Sequence, residues 1–286
     1  MRTLSRYTAL LALAAAMLAG CGNPLGNNRK ETIFVSIAPL RTLVREITGD
    51  DFDVRVIVPA GASPESFEPS LRQVAALNNA QLVFSVGLID FEQNLVPKLA
   101  QQSKLVDLSR GIQLIAGQCS HHHHGHSHGT DPHIWNSPAT LKTMADNAFN
   151  AIKEHYPDSV KYETAYRGLC EKLDALDTEV QRMCSESEHR YFVIYHPALT
   201  YLARDYGLEQ IAIEHEGKEP GAKRLAQIID RTRNDGIKKI FYQSQFPASV
   251  VRTIADDIGA EPVEIDPLAE DIFANTLQMV RLITRQ

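Results

Sequence analysis

The chain has 286 residues, with 29 basic against 35 acidic side chains and a formal net charge of -6. That balance leaves no basic stripe and excludes nucleic acid as a partner class. Its four cysteines form no CxxC pair, which argues against a thiolate zinc site.

Arg2 and Arg6 precede an apolar stretch, Ala9–Ala19, that falls well short of the ~20 residues needed to span a bilayer. Residues 1–20 are therefore expected to be a signal peptide. Leu18-Ala19-Gly20-Cys21 resembles the bacterial lipoprotein signal, in which the cysteine is lipidated and becomes the mature N-terminus. Cys21 is the expected lipidation site, and 21–30, polar with Gly, Asn and Pro, reads as a flexible tether. Loss of 1–20 removes Arg2 and Arg6 and no acid, taking the formal charge from -6 to -8. Cys119, Cys170 and Cys184 then remain, an odd number, and Cys170 and Cys184 on one helix would lie about 21 Å apart at the ~1.5 Å rise of an α-helix. No disulfide is predicted.

Beyond the tether the chain is long enough for two lobes at ~100–200 residues per domain. Residues 31–136 form the expected first lobe, with strands Thr32–Ile37, Asp53–Val58, Gln81–Val86 and Lys104–Leu108 alternating with helical segments such as Leu40–Ile47 and Leu71–Asn78. Within it, 120–129 carries six histidines, His121, His122, His123, His124, His126 and His128, spaced only by Gly125 and Ser127. Such a tract has no apolar side to bury, and neutral imidazole is a common metal ligand, so it reads as a solvated auxiliary metal loop.

Residues 137–186 are expected to connect the lobes. Ser137-Pro138 opens a helix to about His155, Tyr156-Pro157-Asp158 breaks it, and Leu169, Leu173, Leu176 and Val180 mark one apolar stripe on a long second helix. At ~1.5 Å per residue that helix, about 40 Å long, can cross both lobes. Residues 187–286 repeat the alternation with strands Tyr191–Tyr195, Gln210–Ile213, Lys239–Tyr242 and Pro262–Ile265. Phe34-Val35, Pro39 and Gly49 recur as Phe192-Val193, Pro197 and Gly207, each 158 positions later. Val83-Phe84 and Val106-Asp107-Leu108 recur 157 positions on, as Ile240-Phe241 and Val263-Glu264-Ile265. A constant offset of this kind predicts two similarly built lobes. The fold class expected is α/β: two similar lobes of parallel sheet flanked by helices, joined by a long connecting helix, with a metal cleft between them.

The lipoprotein signal, the two α/β lobes and the His-rich loop directly before Asp131-Pro132-His133-Ile134-Trp135 form a specific set with Tyr195-His196-Pro197-Ala198-Leu199 and Asp266-Pro267-Leu268. In order and along essentially the whole mature chain, the set resembles the zinc and manganese substrate-binding lipoproteins of metal ABC transporters. Carried over residue by residue, the resemblance implies metal ligands at His133, His196 and Asp266. A fourth falls in a loop that usually reads Gly-Ala-Ser-Pro-His and here reads Gly61-Ala62-Ser63-Pro64-Glu65. Glu65 thus replaces an imidazole by a carboxylate, with Glu68 as an alternative three positions on.

Position supports three of these residues independently. His196 and Asp266 directly follow predicted strands, at the carboxyl ends where open α/β sheets bind ligands, and His133 stands between a proline and an Ile-Trp anchor. His215-Glu216 is a further cleft-edge candidate outside the core set. The implied role is extracytoplasmic capture of zinc, with manganese or iron(II) as the alternative cargo, by a membrane-anchored lipoprotein of the periplasm or cell surface that delivers it to an ABC permease. No GxxxxGK[ST] occurs, so the ATPase must be a separate subunit. Neither HExxH nor GxSxG occurs, so the chain is not expected to be an enzyme; the alternatives from another class are a metal-dependent surface adhesin or a zinc hydrolase. A monomer is expected.

Overall fold

A computed structural model describes residues 30–95, 98, 99, 101, 104–117, 129–157, 159–214, 220–246 and 248–285. The signal segment, Cys21, Cys119, the six histidines of the 120–129 tract and His215-Glu216 lie outside the described residues.

Two four-stranded sheets, parallel throughout, carry the architecture. The first contains β1 (Thr32–Val35), β2 (Asp53–Val56), β3 (Leu82–Ser85) and β4 (Leu105–Asp107) in the order β2-β1-β3-β4. The second contains β5 (Tyr191–Ile194), β6 (Glu209–Ala212), β7 (Lys239–Tyr242) and β8 (Glu261–Glu264) in the order β6-β5-β7-β8. The two orders are the same once renumbered, which is the structural meaning of the internal repeat. Every strand lies within two residues of its expected bounds. The central strands β3 and β5 are buried on both faces, as expected of largely apolar runs in helix-covered parallel sheets.

In the first lobe α1 (Ala38–Thr48) carries Pro39 in its first turn, buries Leu40, Leu43, Val44 and Ile47, and ends at Gly49, whose φ of 59° a side chain would strain. α2 (Leu71–Asn78) opens on a capping box between Ser70 and Gln73. Gln73 Nε2 also donates to Ile57 O at 3.1 Å, stapling the start of α2 to the end of β2 and closing the loop between them. The short α3 (Asp90–Leu95) follows β3. Glu92 is buried there and accepts backbone N–H groups from Val86, Gly87 and Ile89, yet burial still pushes its carboxyl up to about 7.

α4 (Pro138–His155) and α5 (Val160–Ser185) form the connection, with the break at Tyr156-Pro157. α5 serves both lobes from one stripe. Tyr162, Leu169 and Leu173 join the first core, while Leu176, Val180, Met183 and Cys184 join the second. Cys170 and Cys184 are both free thiols, and burial pushes the Cys184 thiol up to about 11.

The second lobe adds α6 (Thr200–Asp205), α7 (Ala222–Asn234), α8 (Ala248–Ile258) and α9 (Ile272–Thr284). α6 begins at Thr200 instead of Pro197, because Ala198 N turns back to His196 O and Leu199 N donates to the Gln210 side chain at 2.7 Å. α3 and α9 were not anticipated from the sequence. α9 is capped by Asp271, which accepts from Ala274 N at 3.0 Å. No helix among the described residues is long and apolar enough to cross a membrane.

Candidate metal centre

Three of the four expected ligands converge between the lobes. Glu65 arrives on the β2–α2 loop, where Gly61 turns the chain at φ 81° and Pro64–Ser66 forms one 3-10 turn. His133 comes from the segment leading into α4 and is followed by a 3-10 turn over Ile134–Asn136 whose side chains are buried. His196 lies two residues beyond the end of β5. Their side chains are only 13%, 6% and 5% exposed, respectively.

Each histidine is oriented from behind by a buried carboxylate. Asp131 Oδ1 lies 2.8 Å from His133 Nδ1 and also accepts the His133 backbone N–H at 2.9 Å. Burial would raise the Asp131 pKa, but the His133 ring and amide and the Thr200 hydroxyl hold it below the ordinary carboxylate value. Glu214 Oε2 lies 3.1 Å from His196 Nδ1. Gln243 Nε2 donates to His196 O at 2.9 Å, and Phe246 stacks on the imidazole at 4.7 Å and 19°. Since a carboxylate only accepts, each neutral imidazole carries its proton on Nδ1 and presents a lone pair at Nε2.

The two Nε2 atoms lie 3.4 Å apart, and Glu65 Oε1 is 3.4 Å from His133 Nε2 and 3.1 Å from His196 Nε2. Three acceptors facing one another repel unless a cation lies among them. Zinc bonds of about 2.0–2.1 Å at tetrahedral angles would set the donor atoms about 3.3–3.4 Å apart, close to the 3.1–3.4 Å found here. Without a metal, a proton fills the role. Burial works to lower the His196 pKa, but hydrogen bonds and charge from Glu214 and Glu65 outweigh it and push it up to about 9. A small pocket surrounds the trio, walled by apolar groups including Pro64, Ile89, Trp135, Phe246 and Leu268.

Asp266, the fourth expected ligand, is placed differently. Its carboxylate is exposed, accepts from Leu268 N at 3.0 Å, and lies on a neighbouring inter-lobe cleft beside Arg41 and Gly61. The segment is fixed there from the first lobe. Trp135 Nε1 donates to Pro267 O at 2.8 Å, Arg41 pairs with both oxygens of Glu270, and Thr42 Oγ1 donates to Glu270 O at 2.5 Å. The alternative residue Glu68 is exposed and also lies outside the cluster.

Asp131 and Glu214 are the functional residues that sequence reasoning missed. Asp131 was legible as a carboxylate two residues before a candidate ligand. Glu214 follows from strand register: Ile194 pairs with Ala212, so two residues beyond each lie His196 and Glu214.

A buried Glu-His-His cluster able to hold a metal ion, set between two parallel-sheet lobes bridged by one long helix, marks a two-lobed α/β protein with a candidate metal centre. The chain belongs to the zinc-uptake complex component A periplasmic family, whose model matches residues 33–284. It is 28% identical over 273 residues to the zinc-binding lipoprotein AdcA of Streptococcus pneumoniae, covering 91% of this chain and 54% of that protein. It therefore spans about half the length of the AdcA relatives it matches. To the high-affinity zinc uptake system protein ZnuA of Bacillus subtilis it is 27% identical, covering 92% of this chain and 89% of the relative. Among solved structures, a zinc-bound ZnuA deletion mutant superposes with a TM-score of 0.81 at 34% identity, covering 88% of this chain and 96% of the other.

Proposed function

We propose that the chain is the extracytoplasmic receptor of a metal ABC importer, capturing zinc and handing it to a permease driven by a separate ATPase subunit. The observation that carries this reading is the mutual 3.1–3.4 Å spacing of the Glu65, His133 and His196 donor atoms. The family and the names of the relatives agree with it. In this reading the protein binds and releases its cargo and catalyses nothing. Cys21 carries a lipid that keeps the receptor at the membrane, where local concentration favours docking. The histidine tract holds further ions more weakly beside the main site.

Binding needs no open coordination position for chemistry. His133 and His196 supply nitrogen and Glu65 supplies anionic oxygen, while Asp131 and Glu214 sharpen the basicity of the two imidazoles. The oxygen donor moves the set toward manganese, but the Irving–Williams order keeps zinc ahead in a site of this composition. Chelator competition on the purified mature chain should show one tight zinc site. The triple variant Glu65→Ala, His133→Ala, His196→Ala should lack it, and wild-type affinity in that variant would refute the assignment.

A further inference from the structure

We infer that Tyr201 is a positioning residue for metal capture, its hydroxyl setting the aim of His133 by gripping the main chain of Asp131; this rests on the metal-capture reading above. Tyr201 lies on α6 in the second lobe, yet its fully buried ring belongs to the core of the first. A buried tyrosine hydroxyl needs partners, and both of those it finds lie in a single short ladder of the first lobe. It donates to Asp131 O at 2.8 Å and accepts from Ile115 N at 3.2 Å.

That ladder is where residues 115–117 and 129–131 meet. Asp131 N donates to Ile115 O at 2.9 Å, Ala116 pairs antiparallel with Thr130, and Gly117 N donates to Gly129 O. The two sides are so close that a Cβ on Gly117 would meet Gly129 O at 2.8 Å. Asp131 is thus held by its N–H from Ile115, by its carbonyl from Tyr201 and by its carboxylate from the preceding residue on α6, Thr200. Arg204, whose guanidinium lies 4.9 Å above the Tyr201 ring, donates to Gln113 O at 2.6 Å and extends the same grip.

The geometry converts this grip into aim. Asp131 Oδ1 alone fixes both the amide and the Nδ1 of His133, so a small rotation of the Asp131 peptide swings Nε2 away from its partners. β5 delivers His196, and α6, which begins four residues later, steadies the backing of His133 through Thr200 and Tyr201. The 3.4 Å separation of the two Nε2 atoms thus depends on the aim that Tyr201 gives His133 through Asp131.

The test uses the full mature chain with zinc and cobalt(II) as probes. Tyr201→Phe keeps the ring and should weaken zinc affinity about 10-fold, at the lower end of the effect of outer-shell partners on a metal site, with a changed cobalt ligand-field spectrum. In an Asp131→Asn background the same substitution should cost less than about 2-fold, because its route of action is already cut. Metal-free thermal melts identify any general loss of stability. Unchanged zinc affinity and cobalt spectrum in Tyr201→Phe, or effects that multiply in the double variant, would overturn the inference. Failure of the parent chain itself to bind zinc tightly would overturn the capture reading on which it stands.

Discussion

The two lobes share one strand order but use their strand ends differently. In the first, the segment after β1 runs directly into α1 without a ligand, and the donors come from the connection after β2 and from the segment after β4. In the second, the equivalent central strand β5 delivers His196, its neighbour β6 delivers the supporting Glu214, and the segment after β8 keeps its carboxylate outside. Sheet topology fixes where a crevice forms. Which connection fills it depends on loop length and on what holds each loop.

The sharpest way to break this comparison is to remove a donor from either lobe. His133→Ala and His196→Ala should each weaken zinc binding by more than about 100-fold, beyond the range seen for outer-shell partners, with the fold kept. Equilibrium competition against a strong chelator checks it. A lobe whose histidine could be removed freely would not share the site.

The carboxylates behind the histidines come next. Asp131→Asn and Glu214→Gln should each cost about 10–100-fold, the usual range for the partner of a ligating histidine. Asp131→Asn should do more harm, since Asp131 also holds the His133 amide, whereas His196 keeps its Phe246 and Gln243 supports. Calorimetric titration of the pair would rank them, and the reverse order would show that stacking matters less than argued.

The pH response separates the lobes further. In the metal-free protein the His196 proton is retained up to about pH 9, against an ordinary histidine value of ~6.5. A folded-state pKa above the unfolded one adds stability that is full below the unfolded value and is lost as pH rises through the folded one. The metal-free protein should therefore lose stability between about pH 6.5 and pH 9. Zinc displaces the proton, so binding at pH 7.5 should release close to one proton and tighten with rising pH across that window. Titrations in buffers of different ionisation enthalpy measure the release directly, and none at all would contradict the protonated state of His196.

Smaller effects should follow at the two acidic positions that distinguish the lobes. Glu65→His replaces a hard oxygen by an imidazole nitrogen and should raise the preference for zinc over manganese by about 10-fold, following donor hardness; metal competition read by mass spectrometry checks it. Asp266→Asn should change zinc affinity by less than about 2-fold, because the carboxylate serves Leu268 N in an exposed turn. A loss comparable to that of Glu65→Ala would mean that the 266–270 segment moves to bring Asp266 onto the ion.

Period and punctuation made most of the fold legible. Short apolar runs bounded by polar residues, such as Leu82–Phe84 and Tyr191–Ile194, read as strands buried between helical layers, and Pro39 and Gly49 punctuate α1. His196 stands out in the sequence because the apolar strand β5 gives out just before it, and His133 because it lies between Pro132 and the Ile134-Trp135 anchor. Glu214 was not: its partner is 18 residues away, and only the pairing of β5 with β6 brings them together. Asp266 lies outside the cluster for a related reason. Its position after a strand is the same signal that marked His196, but the tie from Trp135 to Pro267 crosses 132 residues of sequence and leaves no local trace.

The shared stripe on α5 has a consequence for how this molecule comes apart. Leu173 belongs to one core and Leu176 to the other, less than a turn of helix away. Unwinding that begins in either lobe soon strips contacts from its neighbour, so the two halves melt as one cooperative unit despite their separate sheets. The same shared rod makes helix bending the expected route for any motion between the halves.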